Sequence, residues 1–111
     1  MSEEQSTRIM RLVKMHSGVL DGLYGALDHL ENVEKALDKA ISIMRNYPDI
    51  CDKDIYEELK DVRRKIAEII KVLKHVKNEF AEKYGKELIK LNITFSTYMY
   101  YLSKDDFSQQ R

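Results

Sequence analysis

The sequence predicts an all-α protein: a long antiparallel helical hairpin with a shorter C-terminal helix, which assembles as a helical bundle, most simply a dimer. Two apolar series with a seven-residue period run through residues 9–47, and a similar stripe begins at residue 55. Apolar residues that alternate at spacings of three and four mark the side of a helix that packs lengthwise on others. One Pro and four Gly among 111 residues leave little material for the turns of an all-β fold.

The first helix is predicted over residues 3–46. One apolar series is Ile9, His16, Leu23, Leu30, Leu37 and Met44, and the other is Leu12, Val19, Ala26, Val33, Ala40 and Tyr47. Ser2 and Gln5 form a capping-box pattern that can start this helix. Tyr47-Pro48 ends it, because the residue before Pro is pushed out of the helical region.

A second helix is predicted over residues 54–84, a third over 86–103, and a frayed tail over 104–111, all within a single domain, 1–111. The second stripe consists of Ile55, Leu59, Val62, Ile66, Ile69, Leu73, Val76 and Phe80. Asp54 and Glu57 offer a capping box for the second helix. Gly85 has two interpretations: a glycine that ends the second helix, or a residue within a continuing one.

Apolar residues beside the two stripes predict self-association. They are Val13, Leu20, Leu27 and Ile41 beside the first stripe, and Ile70 and Val72 beside the second. A two-helix hairpin buries one stripe per helix and leaves such flanking residues in water. We therefore expect a homo-oligomer, most simply a two-fold dimer that forms a four-helix or larger bundle.

Charge is balanced overall but unevenly placed along the chain. Nineteen basic and nineteen acidic residues give a net charge of zero, which argues against a general polyanion binder. Six acids and three bases lie in 21–49, whereas seven bases and two acids lie in 60–77. We expect the acidic part of the first helix to lie along the basic part of the second. The alternative is a nucleic-acid-binding face formed by Lys60, Arg64, Lys71 and Lys74, which recur at helical spacing.

Gly18, Gly22 and Gly25 lie in the first helix, where each lowers helix stability by about 1 kcal/mol relative to Ala. They could hinge the helix, or they could let another backbone or an aromatic ring approach closely. The unbroken heptad phase favours the close approach and hence an interface.

Aromatic and Met residues near the C-terminus form a second predicted interface: Tyr98, Met99, Tyr101 and Leu102. Tyr and Met are typical of interface anchors because they combine apolar bulk with a polar tip or an adaptable shape. The alternative is that they cap the end of the bundle core.

His16 is the one polar residue in the first apolar series, and no second ligand is placed to join it in a metal site. We therefore expect no metal and no cofactor. Arg11-Leu-Val-Lys-Met-His16 has an Arg-x4-His spacing that resembles the ribonuclease signature of HEPN domains. That resemblance would imply that Arg11 and His16 cut RNA by metal-independent acid–base chemistry. The Tyr that often follows the His in that family is absent here, since Ser17-Gly18 comes next.

Composition also bounds the compartment. A single Cys51 excludes an intramolecular disulfide, and Ser2 to Arg8 is polar where a signal peptide would be basic and then apolar. The longest uncharged stretch, 91–103, is too short to span a bilayer as a helix. We expect a cytoplasmic protein, and frequent Ile and Lys resemble the usage of heat-adapted proteins.

These observations favour a non-catalytic helical scaffold or adaptor that binds itself and another protein. The alternative is a small nucleic-acid-associated helical protein, with a HEPN-like ribonuclease as its catalytic form.

Overall fold

The computed structural model describes residues 3–90 and Tyr100. Two helices follow one another in this part of the chain: α1, Glu3–Arg45, with 43 residues, and α2, Lys53–Lys90, with 38. No strand occurs among the described residues. The predicted all-α class is therefore confirmed.

The end of α1 lies one residue from the predicted end. The Asn46 N–H donates to the Ile43 carbonyl and the Tyr47 N–H to the Met44 carbonyl, both at 3.1 Å. These bonds tighten the last turn and satisfy carbonyls that the helix leaves open. Tyr47-Pro48, the dipeptide predicted to end the helix, follows this turn. The proposed cap at Ser2 lies outside the described residues.

Asp52 caps the start of α2. Its Oδ1 accepts hydrogen bonds from the backbone N–H groups of Asp54, at 2.9 Å, and Ile55, at 3.2 Å. The sequence placed this cap two residues later, at Asp54. Asp52 takes the role because the free donors of a helix that begins at Lys53 are those of its second and third residues.

The helix α2 continues through Gly85 to Lys90. Of the two interpretations of Gly85, the continuing helix is the one observed, and the predicted boundary between 54–84 and 86–103 does not occur there. A Cβ built on Gly85 would meet no atom within 4 Å. The rest of the predicted third helix and the predicted tail, 104–111, lie outside the described residues apart from Tyr100.

The chain divides into two compact units, which we call the end unit and the corner unit. The end unit comprises Met1–Leu23 and Lys77–Arg111, and the corner unit comprises Tyr24–Val76. In the end unit, the buried side chains of the described part are Ile9, Val13, His16 and Leu88.

The corner unit is an antiparallel helical hairpin. Its contacts join residues whose numbers fall along α1 as they rise along α2: Arg45 with Tyr56, Asp38 with Arg63, and Glu31 with Lys74. Leu27, Ile41 and Ile70 are its buried apolar side chains. Because acids of α1 pair with bases of α2, the predicted alignment of the two charged stretches is confirmed here.

The buried face of each helix is rotated relative to the prediction. In α1 the first predicted series is buried or half-buried as expected, but Val19, Val33 and Tyr47 of the second series are exposed. Val13, Leu27 and Ile41, predicted to flank the seam, are buried instead. The reason is size, since the second series contains Ala at two positions and the flanking series offers larger side chains to a single partner helix.

The same rotation occurs in α2. Leu59, Ile66, Leu73 and Phe80 are half-buried, and Ile70 is buried. The other half of the predicted stripe stays exposed: Ile55, Val62, Ile69 and Val76. We call the buried or half-buried face of each helix the packing seam.

Candidate interaction surface

One flank of the packing seam in the corner unit is charged. The Arg63 Nε donates to Asp38 Oδ1 at 2.7 Å, and its Nη2 donates to Asp38 Oδ2 at 3.3 Å. The Arg63 Nη1 also lies 3.2 Å from Glu34 Oε2. The hydrogen bond from Arg63 holds the pKa of Asp38 below its ordinary value and raises the pKa of the guanidinium. One guanidinium thus joins α2 to two carboxylates of α1.

Helix geometry separates this flank from the other. With about 100° of rotation per residue, the residue after Leu30 lies roughly 100° to one side of Leu30, and the residue three after it lies roughly 60° to the other side. These residues are Glu31 and Val33. Since Lys74 Nζ lies 3.6 Å from Glu31 Oε1, the charged flanks of the two helices meet. The remaining flanks therefore share the opposite side of the hairpin.

That opposite side is apolar, and we call it the outer seam. On α2 it consists of Ile55, Val62, Ile69, Val72 and Val76, and on α1 of Ala26, Val33, Ala36, Ala40 and Ile43. The seven Ile and Val side chains of this set are between 42% and 60% exposed. Large apolar side chains dominate the α2 part, whereas three of the five residues on α1 are Ala.

His16 is buried in the end unit, with only 8% of its surface exposed. Its ring stacks on Phe80 with centroids 5.6 Å apart and planes inclined at 20°, and Phe80 contacts Tyr84 at 4.7 Å. Burial lowers the pKa of His16 from its ordinary value, because the charged form is poorly solvated there. The ring is a packing element of an aromatic cluster.

Arg11 is exposed, unlike His16. Residues five apart on a helix lie about 140° apart around its axis, so the two side chains leave α1 in different directions. The Arg-x4-His spacing does not bring this pair together on one face. A shared catalytic site of these two residues would need a different arrangement.

Acids accompany the basic residues that the sequence singled out. Lys60 Nζ lies 3.6 Å from Glu57 Oε1 and 5.1 Å from the centre of the Tyr56 ring. Arg64 pairs with Asp61, and Lys74 pairs with Glu31 as described. Lys71 is exposed on α2. Much of the positive charge of this helix is therefore offset by neighbouring carboxylates.

Two further sets of predicted interface residues are the glycines of α1 and the aromatic and Met residues near the C-terminus. A Cβ built on Gly18, Gly22 or Gly25 would meet no atom within 4 Å, so no close approach among the described residues requires these glycines. Tyr98, Met99, Tyr101 and Leu102 lie outside the described residues. Both sets stay predictions.

Sequence reasoning did not predict the small open cleft at the corner. It has a volume of about 280 Å³ and is lined mainly by Met44, Pro48, Cys51 and Tyr56. Arg45 Nε donates to the Tyr56 hydroxyl at 3.2 Å, and this hydrogen bond raises the pKa of Arg45. Cys51 is a half-exposed free thiol.

In the described part of the chain, no three His, Cys, Asp or Glu side chains converge on a point where they could hold a metal ion. Neither of the two described helices has an apolar stretch sufficient to cross a bilayer. Comparison with known proteins gave no match to a family model, a curated protein or a solved structure. Function is therefore inferred from the contacts and exposure of the chain's own residues.

Proposed function

We propose that this protein is a non-catalytic helical scaffold or adaptor that acts through protein–protein contacts, self-association included. The observation that carries the proposal is the outer seam, where seven large apolar side chains are half-exposed along one side of the corner unit. Exposed apolar side chains grouped on one side of a protein are typical of interaction surfaces. The charged flank on the other side already has partners within the hairpin.

The catalytic alternative lacks comparable support. A metal-independent ribonuclease would need His16 to exchange protons with a substrate, yet its ring is enclosed against Phe80. Arg11 leaves the helix in a different direction. The nucleic-acid alternative has the basic residues of α2, but three of the four named there pair with acids of the chain.

Sedimentation equilibrium at micromolar concentration tests the self-association. We expect a mass at least twice the 13.1 kDa of the chain. A stable, well-folded monomer at this concentration would overturn that part of the proposal.

Filter binding to RNA and DNA across a salt series tests the alternative. We expect no retention even at low salt. Retention that falls steeply as salt rises would instead indicate phosphate contacts by the basic residues. A pull-down with mass spectrometry, repeated after nuclease treatment, then separates a protein partner from a nucleoprotein one.

A cytoplasmic location belongs to the same proposal. Its support is compositional, since a single Cys cannot form an intramolecular disulfide. The heat-adapted origin suggested by Ile and Lys usage is a further expectation of this kind. Fractionation of the source cells and a melting curve test the two expectations separately.

A further inference from the structure

We propose that two copies of this chain pair through their outer seams, with the α2 seam of each copy packed on the Ala-rich α1 seam of the other. The pairing deepens the self-association proposed above and depends on it. It assigns to that self-association a surface, a symmetry and a set of facing residues.

Side-chain size gives the outer seam a shape that complements itself. On α2, Val62, Ile69 and Val76 recur every seven residues and form a ridge of bulky side chains. On α1, positions 26, 33 and 40 recur at the same period and hold Ala, Val and Ala, so this strip forms a furrow at its two Ala positions. The ridge and the furrow lie side by side on one surface. When a second copy is related to the first by a two-fold axis parallel to the helices, the furrow of each copy faces the ridge of the other. Such packing of large on small side chains is how helices interdigitate.

The contacts of the hairpin fix which residues face each other. Asp38 and Arg63 are level along the corner unit, so Ala40 and Val62 are nearly level too. A two-fold axis parallel to the helices keeps every residue at its own height while exchanging α1 and α2. Val62 of one copy then lies opposite Ala40 of the other, Ile69 lies opposite Val33, and Val76 lies opposite Ala26. This symmetry closes at two copies.

Charge does not oppose a second copy as the occupant of the outer seam. The chain has a net charge of zero, so two copies do not repel one another as a whole. The rim of the α2 ridge carries Glu58 and Lys65, one of each sign. A partner selected by electrostatic attraction would instead require a surface of one sign.

The first test compares two Lys substitutions by sedimentation equilibrium of the full chain. Ile69→Lys places a charge in the middle of the ridge, and we expect it to weaken the dimer about 100-fold or more, since a buried unpaired charge is costly. Ile50→Lys is the matched control, because Ile50 is 79% exposed in the corner and lies outside the outer seam. Circular dichroism should show unchanged helicity in both variants. A dimer that Ile69→Lys leaves as tight as the wild type would overturn the proposal.

The second test uses disulfide cross-linking and places no charge on the surface. Chains that carry Val62→Cys and chains that carry Ala40→Cys, both with Cys51→Ala, are mixed and oxidised. We expect a linked heterodimer on a non-reducing gel. The control replaces Val62→Cys by Lys60→Cys, which lies on the charged flank and should not link to the Ala40→Cys chain. Equal linkage in both mixtures, or none in either, would contradict the proposed pairing.

The outcomes separate the two proposals. A wild-type chain that is monomeric at micromolar concentration removes the self-association itself. A wild-type dimer that is indifferent to Ile69→Lys and does not cross-link through residues 40 and 62 removes only this geometry.

Discussion

The end unit and the corner unit use the same heptad pattern to build two different kinds of helix contact. In the end unit, His16 stacks on Phe80, Phe80 contacts Tyr84, and Val13 is 1% exposed. In the corner unit, Arg63 bridges two carboxylates of α1 beside a thin apolar core. A continuous seven-residue repeat therefore specifies where the helices touch, while the residue types at each turn decide whether apolar burial or ion pairing stabilises the contact.

Removal of the Phe80 ring from the aromatic cluster should produce the largest difference in stability between the two units. We expect Phe80→Ala to lower the free energy of unfolding by about 2–3 kcal/mol, because it empties the space between His16 and Tyr84. Urea denaturation measures the loss. Hydrogen exchange should show faster exchange in the end unit than in residues 24–76.

Phe80→Leu is the control for this prediction, since it keeps apolar volume and loses only the ring stacking. Its effect should be less than half that of Phe80→Ala. Equal effects of the two variants would mean that ring geometry, and not buried volume, holds the end unit together.

Removal of the bridging guanidinium should have the next largest effect. We expect Arg63→Ala to lower the Tm by a few degrees, because Asp38 and the half-buried Glu34 both lose their partner. Arg64→Ala is the matched control, since Arg64 pairs only with Asp61 one turn away and is 70% exposed in its side chain. The two melting curves should differ clearly at low salt and converge as salt rises.

Acidification through neutral pH should distinguish the units by a smaller effect. The pKa of His16 is below its ordinary value of 6.5 in the folded chain, so the unfolded chain takes up the proton first. Stability is therefore fully present above pH 6.5 and falls as the pH drops from 6.5 toward the folded pKa. His16→Leu should flatten the slope of unfolding free energy against pH in this range, and an unchanged slope would contradict this prediction.

Further acidification should destabilise the corner unit, and this effect should be the smallest of the four. The pKa of Asp38 is held below its ordinary value of 3.8, mainly by the hydrogen bond from Arg63. Its contribution to stability is present above pH 3.8 and is lost as the pH falls through the folded pKa. Asp38→Asn should remove this contribution. Identical acid limbs for the variant and the wild type would contradict the role given to the Asp38–Arg63 pair.

Local chemistry made the helices easy to predict from the sequence. Pro48 cannot continue a helix, so the end of α1 could be placed within one residue. The antiparallel alignment of acids with bases was also readable, because opposite charges on neighbouring helices attract. Helix signals are local, and a single sequence contains them in full.

The rotation of the packing seam could not be read with the same certainty. The apolar face of α1 is wide enough for two neighbouring stripes, and a heptad count alone does not choose between them. The choice depends on what one partner helix can cover, which favours Val13, Leu27 and Ile41 over smaller residues. The charges did indicate the correct rotation. The acids at positions 31 and 38 mark the charged flank of α1, and the exposed apolar flank lies opposite it. Gly85 was ambiguous for a related reason. A glycine can end a helix or lie within one, and the identity of that residue alone does not decide whether the residues after it stay helical.

The single free thiol in the corner cleft is a natural labelling site for distance measurements. Cys51 is half-exposed and is the only cysteine in the sequence, so a nitroxide or fluorophore attaches at one known point without any substitution. Under a two-fold axis parallel to the helices, both labels sit at the same end of the dimer. Under an axis perpendicular to the helices, they sit at opposite ends. One distance measurement on the natural chain therefore distinguishes two symmetries that a molecular mass cannot tell apart.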